Sequence, residues 1–299
     1  MKNQHQRIET YVGSEQEVKI TSAYRQAKEV LKDVDIKITR ENFPEYDIAM
    51  MQEDLGYVAE MEQKFKQNKT EEEKTADKLS LILEALFFEQ AELSEWLGPN
   101  VETIKSSRFD DIKNGIDMIA EFLAEENEEP SAVRNVLGHM GLAFDVTFAN
   151  NIKEKLERVR DEIDHNNLAE VRYFHSDHFV GKLPDIPRIV AAVDGKTANE
   201  LMELWLEDKK KLAFHPVQIQ ILEGAIMQLK IYKQYAEKTQ HKKVIAKLDW
   251  ALKIMEKIYQ ERQKNLQEEK SKEDYSWRDG AFTALKGNLG QVFGIKIEK

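Results

Sequence analysis

The sequence predicts an α+β protein in which a small mixed β-sheet of about four strands lies within a largely helical chain. Three observations predict this class. Long segments toward both ends carry apolar residues at helical spacing, the middle holds short β-branched and aromatic runs, and a helical pattern separates the first two runs from the last two. Because helices and strands alternate in the middle, we expect an α/β-like core with flanking helices.

The first hundred residues are predicted to form helices. The three helices cover residues 14–34, 44–67 and 71–97. Ser14 is a favourable N-cap, Pro44 suits a first helical turn, and the Gly98-Pro99 pair ends the third helix. We therefore expect residues 1–100 to form a helical N-terminal region.

Four short apolar runs in the middle of the chain predict strands. They cover residues 114–124, 140–149, 169–174 and 186–194. The acidic segment EENEEPS, residues 125–131, predicts a loop between the first two strands, and a charged amphipathic helix over residues 151–164 follows the second. Residues 101–240 are expected to form this core with its covering helices.

The remainder of the chain is predicted to be helical. The helices cover residues 198–211, 216–238 and 242–269. The tail from residue 277 to residue 299 holds short apolar pieces and glycines, and its pattern assigns it no element. Residues 241–299 are a C-terminal helix and tail, and because no composition shift marks a boundary, we expect one compact unit.

Composition excludes several classes of protein. The 299 residues contain no cysteine, which excludes disulfides, thiolate catalysis and cysteine-based zinc sites. The first residues, MKNQHQRIETYVGSEQ, lack the apolar stretch of a signal peptide, and nowhere do 18 apolar residues run together. We expect a cytoplasmic protein without a membrane partner.

Charge is distributed unevenly along the chain. The net charge of −11 argues against a general nucleic-acid coat, because affinity for phosphates comes largely from Lys and Arg. Between residues 207 and 264, however, basic residues outnumber acidic ones. This segment permits a nucleic-acid partner, although solubilising surface charge is the alternative.

Two predicted strands carry an acid among apolar residues. Asp117 follows Gly115-Ile116, and Asp145 lies inside LAFDVTF. Burying an unpaired carboxylate costs several kcal/mol, and two carboxylates brought together repel each other unless a cation lies between them. Mg²⁺ or Mn²⁺ is the natural partner of such oxygen ligands and would activate water near a phosphoryl group. The alternative is that each acid has a structural role.

The order of these elements resembles that of the PD-(D/E)XK nuclease superfamily. That order is a helix with Glu, a strand with Asp, a strand with Asp or Glu two residues before Lys, a helix and a strand. GID at residues 115–117 resembles an element of the RecB-like exonuclease branch, and FDVTF at residues 144–148 resembles the (D/E)-x-K strand. QLKIY at residues 228–232 matches the Q-x-x-x-Y element of that branch.

The resemblance implies a metal-dependent phosphodiester hydrolase, a DNA nuclease with a restriction-endonuclease-like core. Asp117 and Asp145 would be catalytic metal ligands for Mg²⁺ or Mn²⁺, and Glu84 would be the helix acid. Gln228 and Tyr232 would position the site or the strand being cut.

The sequence departs from the family pattern at the lysine. That position falls on Thr147, which supplies no cation. Lys153 or Lys155 in the following helix is expected to take over the role, and Arg172 on the next strand is a further candidate. If none of them reaches the site, the resemblance implies a degenerate nuclease fold that only binds nucleic acid.

A different class of function competes with the nuclease. In a non-catalytic, mainly helical interaction protein, Asp117 and Asp145 would be structural and the C-terminal amphipathic helix would dock on a protein partner or a second copy. The apolar stripe of that helix consists of Leu248, Leu252, Ile254, Met255 and Ile258. The segment HSDH, residues 175–178, is a weak metal motif that we interpret as a solvated loop.

Overall fold

The protein consists of helices around a small mixed sheet, and the predicted α+β class is confirmed. The computed structural model describes residues 14–67, 69–122, 141–148, 151–268 and 274–297. Within these ranges four strands form one sheet and two further strands form a separate hairpin. The predicted acidic loop at residues 125–131 lies outside the described residues.

Three helices precede the sheet in the part of the chain that the structure describes. They are α1 (Ser14–Asp33), α2 (Ile48–Lys66) and α3 (Glu71–Leu93). Helix α2 begins after Pro44 because Asp47 is its N-cap and accepts a hydrogen bond from the backbone N of Met50 at 3.1 Å. Helix α3 begins with a capping box between Thr70 and Glu73, which satisfies two backbone donors that the helix itself leaves free.

The described residues between 101 and 193 contain six strands and two helices. In chain order these are β1 (Val101–Lys105), α4 (Arg108–Asn114), β2 (Met118–Phe122), β3 (Gly141–Phe148), α5 (Ile152–Asp164), β4 (Ala169–His175), β5 (Val180–Ile186) and β6 (Arg188–Val193). The sequence did not predict β1, α4 or β5. Strand β2 starts later than predicted because Gly115 ends α4 in the left-handed conformation.

The main sheet has the order β1-β2-β3-β6. Strand β2 is antiparallel to both β1 and β3, whereas β6 is parallel to β3. A parallel pair needs a long crossover, which α5 and the antiparallel β4–β5 hairpin supply here. The chain therefore runs α3, β1, β2, β3, α5, β6 through the core, with the hairpin inserted after α5.

Both faces of the sheet are covered. Alternate residues of β2 show this, because Met118 and Ala120 belong to the main core, whereas Ile119 packs in a second cluster with Val171 and Phe174 of the hairpin. Strand β6 is buried along its whole length, as expected for a strand with packing on both sides.

Within residues 194–268 and 274–297, five helices follow the last strand. They are α6 (Gly195–Glu207), α7 (Lys209–Leu212), α8 (Val217–Lys238), α9 (Lys242–Glu268) and α10 (Gly280–Phe293). The predicted helix at residues 198–211 is thus divided in two, and α10 lies in the tail that received no prediction. The main core cluster extends from Ile20 to Ile295 and draws on all three regions distinguished in the sequence.

The apolar stripe of α9 is covered by the chain itself. Leu248, Met255 and Ile258 are buried, and Leu252 and Ile254 are partly buried against the same core. Helix α9 packs along α8, so the face predicted to dock on a partner already has an intramolecular one. Among the described helices, none has the length and apolar character needed to cross a membrane.

Candidate functional site

The start of β2 and the middle of β3 bring Asp117 and Asp145 together. Met118 pairs with Phe144 in the antiparallel register, so one further step places Asp117 opposite Asp145. The backbone N of Asp117 donates to the carbonyl of Phe144 at 2.9 Å, and Asp117 Oδ2 accepts from the backbone N of Val146 at 2.6 Å. Both carboxylates line one open cavity of about 290 Å³.

The turn before Asp117 is fixed by two arginines. Arg158 Nη1 donates to the carbonyl of Asn114 at 3.2 Å, and Arg188 Nη1 donates to that of Gly115 at 2.6 Å. A Cβ at position 115 would lie 1.9 Å from Arg158 Nη1, and its φ of +61° is in the left-handed region. The left-handed φ favours glycine, and any larger residue would also displace the Arg158 guanidinium, which is a physical reason for the GID sequence.

Burial controls the protonation of the two acids. The pKa of Asp117 is raised well above its ordinary value by burial, and the carboxylates of Glu84, Asp145 and Asp111 raise it further. Burial also raises the pKa of Asp145, although the Lys155 ammonium opposes this shift. A cation between these carboxylates would favour their charged forms.

Lys155, rather than Lys153, contacts the acidic pair. Its Nζ forms an ion pair with Asp145 Oδ1, and both groups line the cavity. Lys153 is half-exposed, and its Nζ lies 3.9 Å from Glu157. The buried stripe of α5 begins with Ile152 and Leu156, so Lys155 lies beside this stripe while Lys153 is on the solvent side. Thr147, at the position of the family's lysine, is buried and supplies no cation.

Lys105 lies between Glu84 and the backbone of Asp117. Glu84 Oε1 lies 2.5 Å from Lys105 Nζ, which also donates to the backbone carbonyl of Asp117 at 3.0 Å. Burial opposes the charge on Lys105, but Glu84, Asp111 and Asp117 outweigh it and raise the pKa of Lys105. Burial likewise raises the pKa of Glu84 despite Lys105. Glu84 is not among the described residues that line the cavity.

Gln228 and Tyr232 pack against strand β6 and do not line the cavity. Gln228 accepts from the backbone N of Val190 at 2.9 Å and donates to its carbonyl at 3.0 Å, and the Tyr232 hydroxyl donates to Gln228 at 2.9 Å. Both side chains are fully buried. Val190 pairs with Asp145 across β3 and β6. The expected contact with substrate does not fit this burial, and the pair instead fixes the strand next to Asp145.

Arg172 is also placed away from the acidic pair. Its Nη1 contacts both carboxylate oxygens of Asp54, at 3.0 and 2.8 Å, and its guanidinium lies 4.9 Å from the ring centroid of Phe109. Asp54 belongs to α2 and Phe109 to α4. Arg172 therefore joins the hairpin to these helices and does not replace the lysine at position 147.

Arginines around the cavity were not predicted from the sequence. Arg108 and Arg158 line it, and Arg188, which is 2% exposed, pairs with Glu162 at 2.7 Å behind it. The sequence does contain an indication of Arg188. It is the one charged residue in the apolar run RIVAAV, just as Asp145 is the one charged residue in LAFDVTF.

The basic segment at residues 207–264 is largely engaged in ion pairs. Lys209 pairs with Glu89, Lys230 with Glu256 and Lys233 with Asp249, at distances of 2.6–2.9 Å. These lysines balance acids of neighbouring helices. The expectation that this segment attracts nucleic acid therefore loses much of its basis.

The cavity combines oxygen ligands with cationic groups. Asp145 is buried and Asp117 is half-buried, and the two lie opposite each other and line the cavity, which suits the carboxylate ligands that Mg²⁺ and Mn²⁺ prefer. Arg158 lines the same cavity with a guanidinium group, which matches phosphate oxygens in geometry and charge, whereas the guanidinium of Arg108 is paired with Glu62 and Asp111. The arrangement therefore fits a divalent cation and a phosphorylated ligand.

Comparisons with known proteins do not assign this site. No protein-family model matches the chain, and comparison with curated proteins and with solved structures gives no significant match.

Proposed function

We propose that this protein is a metal-dependent phosphodiester hydrolase, a DNA nuclease with a PD-(D/E)XK-like core. The observation that carries the proposal is that Asp117, Asp145 and Lys155 meet in one open cavity. Two carboxylates and a lysine are the groups that the sequence resemblance requires at such a site.

The order of elements supports the same proposal. Strand β2 begins after Asp117, β3 carries Asp145, and α5 then leads back to β6, parallel to β3. This is the succession of helix, strands, helix and strand that the resemblance implied. In this succession Asp117 directly precedes β2 and Asp145 lies in β3, and both line the cavity.

Each group in the cavity has a distinct role in this proposal. Asp117 and Asp145 hold Mg²⁺ or Mn²⁺, which when bound polarises the phosphoryl oxygen and lowers the pKa of a bound water. Lys155 approaches from α5 and replaces the lysine that position 147 lacks, orienting the attacking water. Arg158, which lines the cavity, binds a phosphate of the substrate.

A cleavage assay tests the proposal. Untagged protein is incubated with single- and double-stranded DNA, and with RNA, in the presence of Mn²⁺ or Mg²⁺. We expect metal-dependent cleavage that EDTA and Asp145→Asn abolish. The Asn side chain keeps the shape of Asp, so a folded, inactive variant isolates the charge. If the wild-type protein neither cleaves any of these substrates nor binds Mn²⁺, the proposal is wrong.

A second candidate, a nuclease-like fold that only binds nucleic acid, rests on one specific observation. Lys155 already balances the charge of Asp145, so the buried acid is neutralised without a metal ion. Under this alternative the protein retains DNA in a filter-binding assay, Mn²⁺ causes no cleavage, and Arg158→Gln weakens binding. The scaffold alternative is weaker because the stripe of α9 is covered within the chain.

A further inference from the structure

The far end of β2 carries a second pair of acids. Glu121 of β2 pairs directly with Glu102 of β1 in the antiparallel register, so the two carboxylates project from the same face of the sheet. Like charges at directly opposed positions destabilise a sheet. Glu121 is only 3% exposed, which makes the repulsion costlier than it would be in water.

A histidine from a third element completes this cluster. His178 lies in the turn between β4 and β5, and its Nε2 is 3.7 Å from Glu102 Oε2. One ligand atom from each of Glu102, Glu121 and His178 lies within 4.8 Å of the others. Ser176 in the same turn accepts from the backbone N of His178 at 3.2 Å and hydrogen-bonds the Glu121 carboxylate, which holds the turn against the sheet.

The electrostatics of the cluster favour a cation. Burial raises the pKa of Glu102, and the neighbouring carboxylates of Glu121 and Asp177 raise it further. Burial also raises the pKa of Glu121. The two opposed carboxylates therefore resist being charged together unless a cation lies between them, and the imidazole of His178 converges on them from another strand pair.

We propose that Glu102, Glu121 and His178 bind one divalent first-row transition-metal ion of the Zn²⁺ type. An imidazole nitrogen with two carboxylate oxygens is a donor set for Zn²⁺, Fe²⁺ or Ni²⁺, whereas Mg²⁺ and Ca²⁺ take oxygen ligands. Ligand atoms that are each about 2.1 Å from a zinc ion lie at most about 4.2 Å apart. Small rotations of the two more exposed side chains, Glu102 and His178, close the remaining gap.

This metal site is separate from the Asp117–Asp145 cavity and does not depend on the proposed nuclease function. Asp117 and Glu121 are four residues apart along an extended segment, or about 13 Å at about 3.3 Å per residue. A metal ion here would join the β4–β5 hairpin to the edge of the main sheet. Three protein ligands also leave at least one coordination position for water.

Zinc titration of the untagged, metal-free protein tests this inference. The measurement is made by calorimetry in an Asp117→Asn/Asp145→Asn background, so that the other carboxylate pair does not contribute. We expect one equivalent of Zn²⁺, and at least about tenfold weaker binding in His178→Gln, since even outer-shell partners of a metal ligand contribute about 10–100-fold. His175→Gln is the matched control, because His175 belongs to the same hairpin but not to the cluster.

Two results would overturn the inference. One is the absence of Zn²⁺ binding in the background protein, and the other is binding that His178→Gln leaves unchanged. His178 is exposed, so its substitution is expected to leave the fold intact, and circular dichroism checks this. Glu121→Gln provides the second ligand test where it folds. Visible absorption of the Co²⁺-loaded protein gives an independent readout, because the spectrum is sensitive to loss of the imidazole.

Discussion

Asp110 and Asp145 are both buried aspartates, 0% and 2% exposed, yet their surroundings differ in kind. Both oxygens of Asp110 are filled by donors: the Ser107 hydroxyl, the Asn114 amide and the backbone N–H groups of Arg172 and Tyr173, at 2.7–2.9 Å. Asp145 instead faces an open cavity and pairs with a lysine from another element.

Comparison of Asp110 with Asp145 shows that burial of an acid does not by itself indicate function. The Asp110 carboxylate joins α4 to the hairpin by accepting from Asn114 and from the backbone N of Arg172, so its charge serves the fold. Asp145 contributes a carboxylate whose partner can leave and be replaced by a cation or a ligand. What distinguishes the two is whether fixed backbone donors or a movable side chain satisfies the charge.

Substitution of Asp110 is expected to lower the free energy of unfolding more than substitution of Asp145. Asp110→Asn replaces one acceptor oxygen by an NH₂ group that faces backbone N–H donors, so we expect the free energy of unfolding to fall by about 3 kcal/mol. Asp145→Asn should cost less, because it removes a charge that burial disfavours and leaves Lys155 able to reach solvent. Urea denaturation of both variants measures this. Equal losses would show that the distinction is wrong.

The next prediction concerns the movable partner of Asp145. If the proposed nuclease activity is present, Lys155→Met should lower the rate of cleavage on the order of a hundredfold, or about 2.7 kcal/mol in the barrier. Lys153→Met is the matched control, since its side chain lies on the solvent side of α5 and should leave the rate unchanged. A cleavage time course at saturating Mn²⁺ measures both. Loss of activity in Lys153→Met alone would contradict the assignment.

A pH dependence should follow from the raised pKa of Asp117. The native state binds a proton more tightly than the unfolded chain, whose aspartate pKa is about 3.9, so the stability contribution is full below that value and is lost as the pH rises through the folded pKa. Asp117→Asn cannot ionise. Its stability relative to the wild type should therefore increase from pH 5 to pH 8, measured by urea denaturation in EDTA. A constant difference across this range would contradict the raised pKa.

A smaller loss of stability is expected when the hydrogen bond between Tyr232 and Gln228, beside strand β6, is removed. Tyr232→Phe removes the hydroxyl that donates to Gln228, but Gln228 keeps both hydrogen bonds to Val190. We expect about 1 kcal/mol less stability and no change in any cleavage rate. A variant of full stability that cleaves poorly would instead support the contact with substrate that the sequence resemblance implied.

Local patterns predicted much of the fold. Long amphipathic helices and the strand around Asp145 were found because their periods and end signals are local. Strand β1 was missed because VETIK is short and mixes charged with apolar residues, and β5 because VGKLPDI contains Gly and Pro and is largely exposed. Helix α10 was missed because its sequence, GAFTALKGNLGQVF, contains three glycines that lower its helix propensity.

The sequence alone predicts that Asp117 and Asp145 lie among apolar residues of two strand-forming runs and therefore need partners. The identity of those partners follows from the tertiary structure. The rotational phase of α5 selects Lys155 over Lys153, the packing of α8 buries Gln228 and Tyr232, and the hairpin carries His178 to Glu102 and Glu121. The reason is physical: periodicity specifies which face of an element is buried, but which side chains meet depends on how elements distant in sequence pack together.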